Sequence, residues 1–566
     1  MEVPPPVAPT RRGREIAAGG LIVAIGLALY LPGLGREILR HPLEAKYALV
    51  ARDMLRGGPM LVPHVFGEPF PDKPPLYFWV TATLGWLNGG DIDEVTARLP
   101  AAAAALAGLL LVYRLGTELF GPRAGLLSAL ILATSNLSFW YARQGHPDQF
   151  LTTFVTLACL GLWRGFTATT RRGAAGWMAV AYGGMALGVL SKGLIGLIVP
   201  LLAGTAYLLA IGPARALPPR LRLLPGLGVF LAVALAWYGP AVAHYGRSYL
   251  YETLIHQHFV RYARTWSHAG PWYYYLGEFP AGFFPWVLFL PGAIVLGWRA
   301  RGPRPGQPEE TAAPAVPGLR PFFFPLGWFA TGFVFFSLAT GKRGAYLLPL
   351  YPAAALMVGW LWDRTLGGRT PTRWTGIPLG MLSGAAALLA VGLALVPRRF
   401  IPGRMVDTLV PADPRQLTAT ILLLLGGAAI VWLLWRRGPA AAVFTALVAI
   451  QSVLLLAVAT IRAPQYEARY PIRDFAARVR AAVPPGQPVL SLLEDYDNIV
   501  DFYLHRPFLP IHEPADLLAA RDTGKPRYAL VDGDDLARLT HPGVRALEET
   551  RLGPKRVVLI RLDPGP

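Results

Sequence analysis

Side chains that can do acid–base chemistry or bind an anion are concentrated in one stretch of this sequence, from His41 to Pro75. Charged residues make up only 15% of the whole chain, so their density here needs a specific explanation. A carboxylate can take a proton from a hydroxyl, and lysine and arginine can bind a phosphate. We interpret the stretch as one wall of a site where an acid and several cations meet an anionic group. The charged residues that support this interpretation are Glu44, Lys46, Arg52, Asp53, Arg56, Asp72 and Lys73.

The two halves of this stretch have different patterns. Residues 44–55 (EAKYALVARDML) mix apolar and charged residues in a way that predicts a helix lying on a membrane surface. The ordinary alternative is a solvated helix beside the membrane. Residues 62–75 (VPHVFGEPFPDKPP) are rich in proline, which imposes a stiff, extended path. Lys73 is thereby held at a fixed place, where an ammonium group is a natural contact for a phosphate.

Two short polar stretches interrupt the apolar part of the chain. In YARQGHPDQF (141–150), Asp148 begins an apolar segment, where its carboxylate could serve the site or simply favour a helix dipole. In LSKGLIG (190–196), Lys192 stands between two apolar runs with no room for a long loop. A charge at that depth usually marks function or reaches back to the interface.

Two further stretches combine cations with aromatic residues. Residues 255–276 hold histidines and arginines among Tyr and Trp, which suits a lipid phosphate and a sugar ring at a membrane interface. His256 and His258 are two residues apart and do not share a helix face, so a two-histidine metal site on one helix is not expected. The cationic candidates from this stretch and from TGKRGAYLLPLYP (340–352) are His256, His258, Arg261, Arg264, His268, Lys342 and Arg343.

The elements that must position these residues are membrane-spanning helices. The 566 residues are 54% hydrophobic, with a mean hydropathy of +0.41, a balance that soluble globular domains do not have. About 20 apolar residues cross the hydrocarbon core. We predict a mainly α-helical polytopic protein with about thirteen spans, and a short interfacial helix at 75–88. The predicted spans are 16–34, 97–115, 123–139, 150–166, 176–191, 193–211, 223–243, 279–298, 321–339, 345–362, 375–396, 417–435 and 440–461.

Arginines in five alternate loops predict a cytoplasmic N-terminus, which precedes an uncleaved first span. Loops 35–74, 140–149 and 244–278 then lie on the outer face. Loop 35–74 is itself basic, so its cations are not explained by topology. The net charge of +19 suits cytoplasmic loops and anionic head groups. Nucleic acid is not an expected partner, because no soluble segment carries a basic stripe.

The chain is predicted to divide into a membrane domain, residues 1–462, and a small α/β domain, residues 463–566, on the outer face. The second part is polar, contains no glycine-rich phosphate loop, and is assigned a structural or acceptor-recognition role. Its predicted strands and helix are 488–493, 528–533, 556–562 and 472–483.

Two other features bear on the chemistry and the topology. Cys159 is the single cysteine, so disulfides and cysteine-based metal sites are excluded. Residues 303–317 form a proline-rich linker that is predicted to be cytoplasmic.

In order and spacing, these motifs resemble those of the polytopic GT-C glycosyltransferases, chiefly the aminoarabinose transferases of lipid A modification and more distantly the protein O-mannosyltransferases. The resemblance runs over most of 16–460, through PLEAKYALVARDML, VPHVFGEPFPDKPPLYFW, HPDQF, LSKG, HFVRY…HAGPWYYYL and GKRGAYLLP. It implies the GT-C architecture of about thirteen spans, an outer-face cavity, a polyprenyl-phosphate-linked sugar donor and inversion at the sugar carbon. It also implies a bacterial inner-membrane protein with its site and C-terminal domain in the periplasm.

Site residues follow from the same resemblance. The family's first-loop acidic pair falls on Leu43–Glu44, so the first acid is missing and Glu44 is left as the candidate base or acceptor-orienting group. Asp148 matches a later acid and is the second catalytic candidate. The family's acid–lysine pair falls on Asp72–Lys73. The other positions that the resemblance predicts to bind the lipid phosphate or the sugar are Lys46, Tyr47, Lys192, His258, Arg261, Lys342, Arg343 and Tyr346.

Three functions could account for these residues. The leading one is a glycosyltransferase that moves a pentose or hexose from an undecaprenyl-type phosphate to lipid A, another glycan or a protein. The second is a transporter or flippase for lipid-linked sugars, which predicts mid-membrane charges and internal repeats that are not clear here. The third, a membrane scaffold, leaves the loop charges unexplained. No cofactor is required, and a divalent metal is possible but not indicated, because cationic side chains can neutralise a phosphate.

Overall fold

A computed structural model of the chain shows a mainly helical membrane domain followed by a small C-terminal sheet domain. The proline-rich stretch 303–317, predicted as a cytoplasmic linker, lies outside the described residues. The structure describes residues 11–39, 41–212, 221–264, 268–300, 320–396, 413–493, 497–506, 508–511, 513–519, 526–539 and 543–564.

Long apolar helices make up most of the membrane domain. Its α-helices are α1 (Arg11–Tyr30), α2 (Pro42–Leu55), α3 (Leu76–Leu87), α4 (Glu94–Phe120), α5 (Pro122–Ala133), α6 (Asn136–Ala142), α7 (Asp148–Thr167), α8 (Arg171–Lys192), α9 (Ile195–Ile211), α10 (Leu223–Leu250), α11 (Arg261–Ala263), α12 (Tyr275–Phe283), α13 (Leu290–Arg299), α14 (Phe323–Leu338), α15 (Tyr351–Leu366), α16 (Arg373–Leu395), α17 (Pro414–Arg437) and α18 (Ala440–Arg469). Other helical segments are the π-helix Tyr251–Val260 and the 3₁₀ helices Trp286–Phe289 and Gly344–Leu350.

The predicted spans all coincide with helices, although their number is not settled by helix length. In the described part of the chain, nine helices are long and apolar enough to cross a membrane, or up to eleven if each bent helix pair is one span. The segments predicted at 193–211 and 321–339 form the shorter helices α9 and α14. The 12-residue α3 is too short to span, as predicted for an interfacial segment. The chain is therefore a multi-pass membrane protein.

Small residues let α7 and α8 approach closely. A Cβ atom added to Gly161 would lie 2.7 Å from the backbone nitrogen of Ala181, so no larger residue fits there without a shift. Such contacts are the usual basis of helix association in lipid, where apolar burial gives little driving force between helices. The close packing fixes the first residue of α7, Asp148, relative to the last residue of α8, Lys192.

Two bent helix pairs face each other inside the domain. The bend between α5 and α6 is 69°, and that between α12 and the Trp286–Arg299 segment is 106°. Trp286 Nε1 donates to Thr134 Oγ1 at 3.0 Å, and Asn136 Nδ2 donates to the Ala281 carbonyl at 3.2 Å. Polar groups at helix breaks must find partners within the protein when lipid surrounds them. The mutual hydrogen bonds hold α6, and with it the loop that follows.

The first loop folds as α2, a short hairpin and α3. The hairpin pairs strand β1 (His64–Val65) with β2 (Glu68–Pro69). Sequence analysis predicted that α2 lies on a membrane surface, but most of its residues are buried. The prediction was wrong because the C-terminal domain covers the face of α2 that would otherwise meet water or lipid head groups.

The C-terminal domain is built on a five-stranded mixed sheet of order β4-β3-β5-β7-β6. Strand β3 runs parallel to β4 and β5, and β7 runs antiparallel to β5 and β6. The three predicted strands are confirmed as β3, β5 and β7, and the predicted helix as α19; β4 and β6 were missed. The strands and helices are β3 (Val489–Ser491), β4 (Phe508–Pro510), β5 (Arg527–Asp532), β6 (Val544–Leu552), β7 (Lys555–Leu562), α19 (Ile472–Ala482), α20 (Asp497–Leu504), α21 (Pro514–Ala519) and α22 (Gly533–Arg538).

The last helix of the membrane domain, α18, continues to Arg469, past the predicted domain boundary at residue 462. Its last turns contain Gln465, Glu467 and Arg469, which a hydropathy pattern does not assign to a span. One continuous apolar cluster joins α2 and α3 to α19 and α20. The C-terminal domain thus packs directly on the first loop.

Arg52 of α2 anchors the C-terminal domain. Its guanidinium lies 4.1 Å from the centre of the Phe502 ring, and it donates to the carbonyls of Phe502 at 2.7 Å and Ile92 at 2.8 Å. Nε also lies 3.4 Å from Asp91 Oδ1. A buried cation requires such partners. One side chain therefore links α2, the start of α4 and α20.

A second polar contact lies beside the first. Tyr503 of α20 donates its hydroxyl to Glu94 at 2.9 Å and accepts from the backbone N–H of Leu39 at 2.9 Å. Arg473 of α19 reaches the same Glu94 carboxylate at 2.5 Å and Glu467 at 2.6 Å. These hydrogen bonds fix the rotation of the C-terminal domain relative to the first loop.

We expect Arg52→Ala to loosen this domain contact. The substitution leaves the Phe502 and Ile92 carbonyls without their charged donor, and hydrogen bonds to charged groups contribute about 1.5–3 kcal/mol each. The melting temperature should fall, and limited proteolysis should release a C-terminal fragment. Arg56→Ala, at an exposed position one turn further along, is the matched control. Equal behaviour of the two variants would contradict this account of the contact.

A buried ion pair fixes the start of α2. Glu44 is 1% exposed, and its carboxylate accepts from Arg98 Nε at 2.7 Å and from Arg98 Nη2 at 3.1 Å. Arg98 also donates to the carbonyls of Leu34 at 2.7 Å and Ile38 at 2.9 Å. Glu44 Oε1 in turn accepts from the backbone N–H of Gly145 at 2.8 Å. Three separate segments therefore meet at this carboxylate.

The ion pair makes stability depend on pH. Burial alone would raise the pKa of the Glu44 carboxyl, but Arg98 and the Gly145 N–H outweigh burial and hold that pKa below its ordinary value. A lowered folded-state pKa stabilises the fold above the unfolded value of about 4.3, and this stabilisation is lost as the pH falls through the folded-state pKa.

We expect Glu44→Gln to lower the free energy of unfolding at pH 7 by about 3–5 kcal/mol, because Arg98 then stays buried without its counter-ion. The variant should also lose part of the acid dependence of the melting temperature between pH 6 and pH 3. Glu278→Gln, at an exposed carboxylate, serves as the control. A pH profile of Glu44→Gln that matches the unsubstituted protein would refute the role given to the pair.

Candidate active site

Asp148 and Lys192 form the centre of the candidate site. Asp148 is the first residue of α7 and Lys192 the last of α8, and the two side chains make a direct ion pair through Asp148 Oδ1. Asp148 is buried, whereas Lys192 is partly buried. The Lys192 ammonium also lies 5.3 Å from the centre of the Tyr346 ring. The predicted acid, the predicted lysine and the predicted tyrosine are therefore brought together.

Several of the predicted site residues act on Tyr47 of α2. Burial raises the pKa of its hydroxyl well above the ordinary value, and the nearby carboxylates of Asp148 and Asp72 raise it further. Arg343 acts on the same hydroxyl in the opposite direction. Charged residues from the first loop, α7 and the loop after α14 thus lie within electrostatic range of one tyrosine.

The proline-rich part of the first loop positions Asp72 and Lys73 through hydrogen bonds. Asp72 Oδ1 accepts from Gln257 Nε2 at 2.9 Å, which ties the first loop to the π-helix after α10. Lys73 Nζ donates to the Asp72 carbonyl at 2.8 Å. Lys46 lies 4.6 Å from the centre of the Phe70 ring. Burial lowers the pKa of Lys46, and the neighbouring Asp72 partly offsets this.

Arg343 contributes a cation from the loop before the Gly344–Leu350 helix. Its backbone N–H donates to Tyr275 Oη at 3.4 Å, and its guanidinium Nη2 lies 3.2 Å from His268 Nε2. A bridge between Ala269 and Gly341 fixes the two loops side by side. His268 has a φ of 58°, which is unusual for a residue other than glycine. Arg343 is partly exposed and is held from two sides.

Lys342, which was also predicted to bind the ligand, directs its ammonium group at backbone carbonyls. Its ammonium is buried and donates to the carbonyls of Phe336 at 3.0 Å and Ser337 at 2.6 Å. These carbonyls belong to the last turn of α14, where a cation satisfies groups that have no partner within the helix. Burial lowers the pKa of this lysine. Lys342 and Arg343 are adjacent in the sequence but make different contacts.

The Glu44 carboxylate is held by the ion pair with Arg98 and by the Gly145 N–H. No local feature of the sequence indicated Arg98 as its partner. His258 lies on the π-helix and Arg261 begins α11, but their side chains lie outside the described residues.

His146 was not among the predicted site residues. Its imidazole is 6% exposed and packs edge-on against Tyr47 and His41, with ring centres 5.4 Å away in both cases. Burial lowers the pKa of His146 to about 4, against the opposing effects of Asp148 and Glu44. Its position two residues before Asp148 was the one available signal.

The residues near Asp148 are of two chemical kinds. Lys192 and Arg343 carry positive charge that suits a phosphate, and the tyrosines and His146 supply uncharged polar groups and ring faces that suit a sugar. Within the described ranges, no group of three or more His, Cys, Asp and Glu side chains is arranged to hold a metal ion.

The chain is similar to known proteins over most of its length. Residues 72–238 match a family described as dolichyl-phosphate-mannose-protein mannosyltransferase. The undecaprenyl phosphate-alpha-4-amino-4-deoxy-L-arabinose arabinosyl transferase of Edwardsiella ictaluri is 30% identical over 396 residues, which are 68% of this chain and 66% of that protein. A namesake from Pseudomonas fluorescens is 29% identical over 412 residues, 72% of this chain and 69% of that protein. The matched region thus spans about two thirds of these relatives.

Solved structures share the fold. The crystal structure of ArnT from Cupriavidus metallidurans bound to undecaprenyl phosphate aligns over 97% of this chain and 99% of that one, with a TM-score of 0.76 and 23% identity. The archaeal oligosaccharyltransferase AglB from Archaeoglobus fulgidus aligns with a TM-score of 0.51 over 89% of this chain and 65% of that one, at 14% identity. With the curated relatives, these likenesses place the chain among the polytopic GT-C glycosyltransferases, in the aminoarabinose transferase family.

Proposed function

We propose that this protein transfers a sugar from a polyprenyl-phosphate donor to a lipid acceptor at the outer leaflet of a bacterial inner membrane. The observation that carries the proposal is the Asp148–Lys192 pair, which meets Tyr346 and lies close to Tyr47. The names of the relatives support a donor of the undecaprenyl-phosphate type and lipid A as the acceptor. The arginine-rich alternate loops support a cytoplasmic N-terminus and a periplasmic site.

The cations would act on the leaving group. When the bond between the anomeric carbon and the phosphate oxygen breaks, its electron pair stays on the phosphate, and negative charge grows there. Lys192, Arg343 and Lys73 can stabilise that charge from fixed positions in a partly buried site, where electrostatic interactions are strong. Since these side chains supply the charge, we propose that transfer needs no bound metal or other cofactor.

Asp148 would act on the sugar. Positive charge develops at the anomeric carbon as the phosphate leaves, and a carboxylate beside it lowers the energy of that state. A single displacement by the acceptor would invert the configuration at this carbon. Tyr47, Asp72 and Lys46 would line the sugar and phosphate side of the cavity, together with His258 and Arg261.

Glu44 and the C-terminal domain would act as supports. The Glu44–Arg98 pair holds α2 and the loop after α6 together, so Glu44 positions the site without touching the substrate. The C-terminal domain packs on the opposite side of α2 through Arg52. We propose that residues after 469 stabilise the first loop and carry none of the catalytic groups.

The function can be tested directly. The purified full chain in lipid nanodiscs would be mixed with undecaprenyl-phosphate-linked pentoses and hexoses and with lipid A. Release of undecaprenyl phosphate, together with a glycosylated lipid, is the expected result. Turnover of none of these donors would overturn the proposal.

Asp148→Asn should lower the rate of sugar transfer by at least about 10²-fold, because the amide cannot offset the charge that develops on the sugar. Its melting temperature should change far less than its activity. The matched control is Asp363→Asn, which breaks an ion pair with Arg123 elsewhere in the fold. The role given to Asp148 fails if both variants keep full activity.

Alanine substitutions of Arg343 and of Lys342 should change different properties of the protein, the KM for the donor in the first case and the melting temperature in the second. Arg343→Ala should raise the KM for the donor by about 10-fold or more, because a charge-assisted hydrogen bond to the phosphate is lost. Lys342→Ala should instead lower the melting temperature, because the last turn of α14 loses its donor. Measuring both quantities for both variants checks the assignment. If Lys342→Ala raises the KM and Arg343→Ala lowers the melting temperature, the two roles are reversed.

A further inference from the structure

Helix α4 and the segment Gly344–Leu366 both begin beside the candidate site and run away from it. Arg98 lies in the second turn of α4, and Gly344 directly follows Arg343. Both are long and apolar enough to cross a membrane, α4 with 27 residues and the segment with 23. Their far ends therefore lie at the opposite membrane interface. Three cations at these ends, called the arginine cluster below, are Arg123, Arg364 and Arg369.

Close helix packing brings the arginine cluster together. A Cβ atom added to Gly359 of α15 would lie 2.9 Å from the backbone nitrogen of Ser128 in α5, so these two helices approach closely. Just after α15, a Cβ atom added to Gly367 would lie 3.4 Å from Arg369 Nη2 and 3.6 Å from Arg123 Nη2. These two guanidinium nitrogens are therefore no more than about 7 Å apart.

The arginine cluster carries more positive than negative charge. Asp363 Oδ1 accepts from Arg123 Nε at 2.6 Å, and the Asp363 carbonyl accepts from Arg123 Nη2 at 3.1 Å. Arg364 lies within electrostatic range of both Arg369 and Asp363. Among the residues that the structure describes, neither Arg364 nor Arg369 makes an ion pair or a side-chain hydrogen bond. One carboxylate thus faces three guanidinium groups.

Two ordinary effects explain part of this charge. Arginines in the loops of one membrane face follow the positive-inside bias, and a cation in the last turn of a helix, such as Arg364, interacts favourably with the helix dipole. Neither effect requires guanidinium groups to converge on one backbone turn. Their convergence is opposed by like-charge repulsion, and an anion bound between them would offset that repulsion.

The chemistry of the arginine cluster indicates what this anion is. Guanidinium groups bind phosphate oxygens through N–H···O contacts of about 2.7–2.9 Å, so one phosphate can bridge two of them at the observed separation. Arg364 is in the last turn of a membrane-crossing helix, which places the cluster at the level of the lipid head groups. Basic pockets between membrane helices at this level bind anionic lipid head groups.

We propose that the arginine cluster binds the phosphate of an anionic phospholipid, on the membrane face opposite to the candidate active site. The bound head group links the turn between α4 and α5 to the end of α15. Because α4 carries Arg98 and the segment before α15 follows Arg343, the lipid stabilises two helices that hold the candidate site. The inference does not depend on which sugar is transferred or on its acceptor.

The first experiment compares two double variants of the full chain that remove the same charge from the same membrane face. Arg364→Gln/Arg369→Gln should weaken the binding of phosphatidylglycerol by about 10-fold or more, because two of the three phosphate-binding cations are lost. The control is Arg171→Gln/Arg172→Gln, at exposed arginines that begin α8, whose other end is Lys192 of the candidate site.

Binding is measured by native mass spectrometry of the protein in neutral detergent, with phosphatidylglycerol titrated in. Equal loss of binding in the two double variants, or unchanged binding in both, would overturn the proposal, because general surface charge would then account for the lipid. A melting temperature in phosphatidylcholine nanodiscs shows whether each variant is folded. If Arg364→Gln/Arg369→Gln does not fold, Arg369→Gln, at an exposed side chain, is compared with Arg172→Gln in the same way.

The second experiment identifies the source of the phosphate and uses the unsubstituted protein in neutral detergent. Phosphatidylglycerol should raise the melting temperature, and this rise should be lost in Arg364→Gln/Arg369→Gln. Glycerol 3-phosphate and inorganic phosphate at the same concentration should leave the melting temperature unchanged. No rise with phosphatidylglycerol, or an equal rise with the soluble phosphates, would overturn the assignment of the arginine cluster to a lipid.

Discussion

The buried contact between Glu44 and Arg98 is the interaction on which the arrangement of the candidate site depends. Removing two charges from water costs free energy, and this cost is offset because each group has several hydrogen-bond partners. The guanidinium satisfies carbonyls that follow α1, and the carboxylate holds the loop after α6. A single pair thus sets the spacing between the first loop, the start of α4 and the loop that leads to Asp148. The catalytic geometry is a consequence of this constraint.

The framework of helices was predictable because membrane spans leave a strong signal in composition. Every predicted span coincides with a helix, while the number that crosses the bilayer depends on how bent and short helices are counted. In the C-terminal domain, apolar runs located three strands. Strand β6 was missed because four of its nine residues are charged and it lies at a sheet edge, and β4 because it has three residues.

The candidate site was only partly predictable. Sequence order and charge indicated Asp148 and Lys192 separately, but their pairing depends on how α7 packs on α8. Sequence analysis treated Lys342 and Arg343 alike, and only the structure separates the one that satisfies a helix end. His146 carries no pattern of its own, since its burial comes from residues about 100 positions away in α2.

The contact between Arg52 and Phe502 joins residues 450 positions apart in the chain. During synthesis α2 is made long before α20, and domains generally form from the N-terminus onward. Helix α2 therefore keeps one face uncovered until the C-terminal domain has been synthesised. A chain terminated before α20 would contain every helix of the membrane domain and would still lack the part of the protein that covers α2.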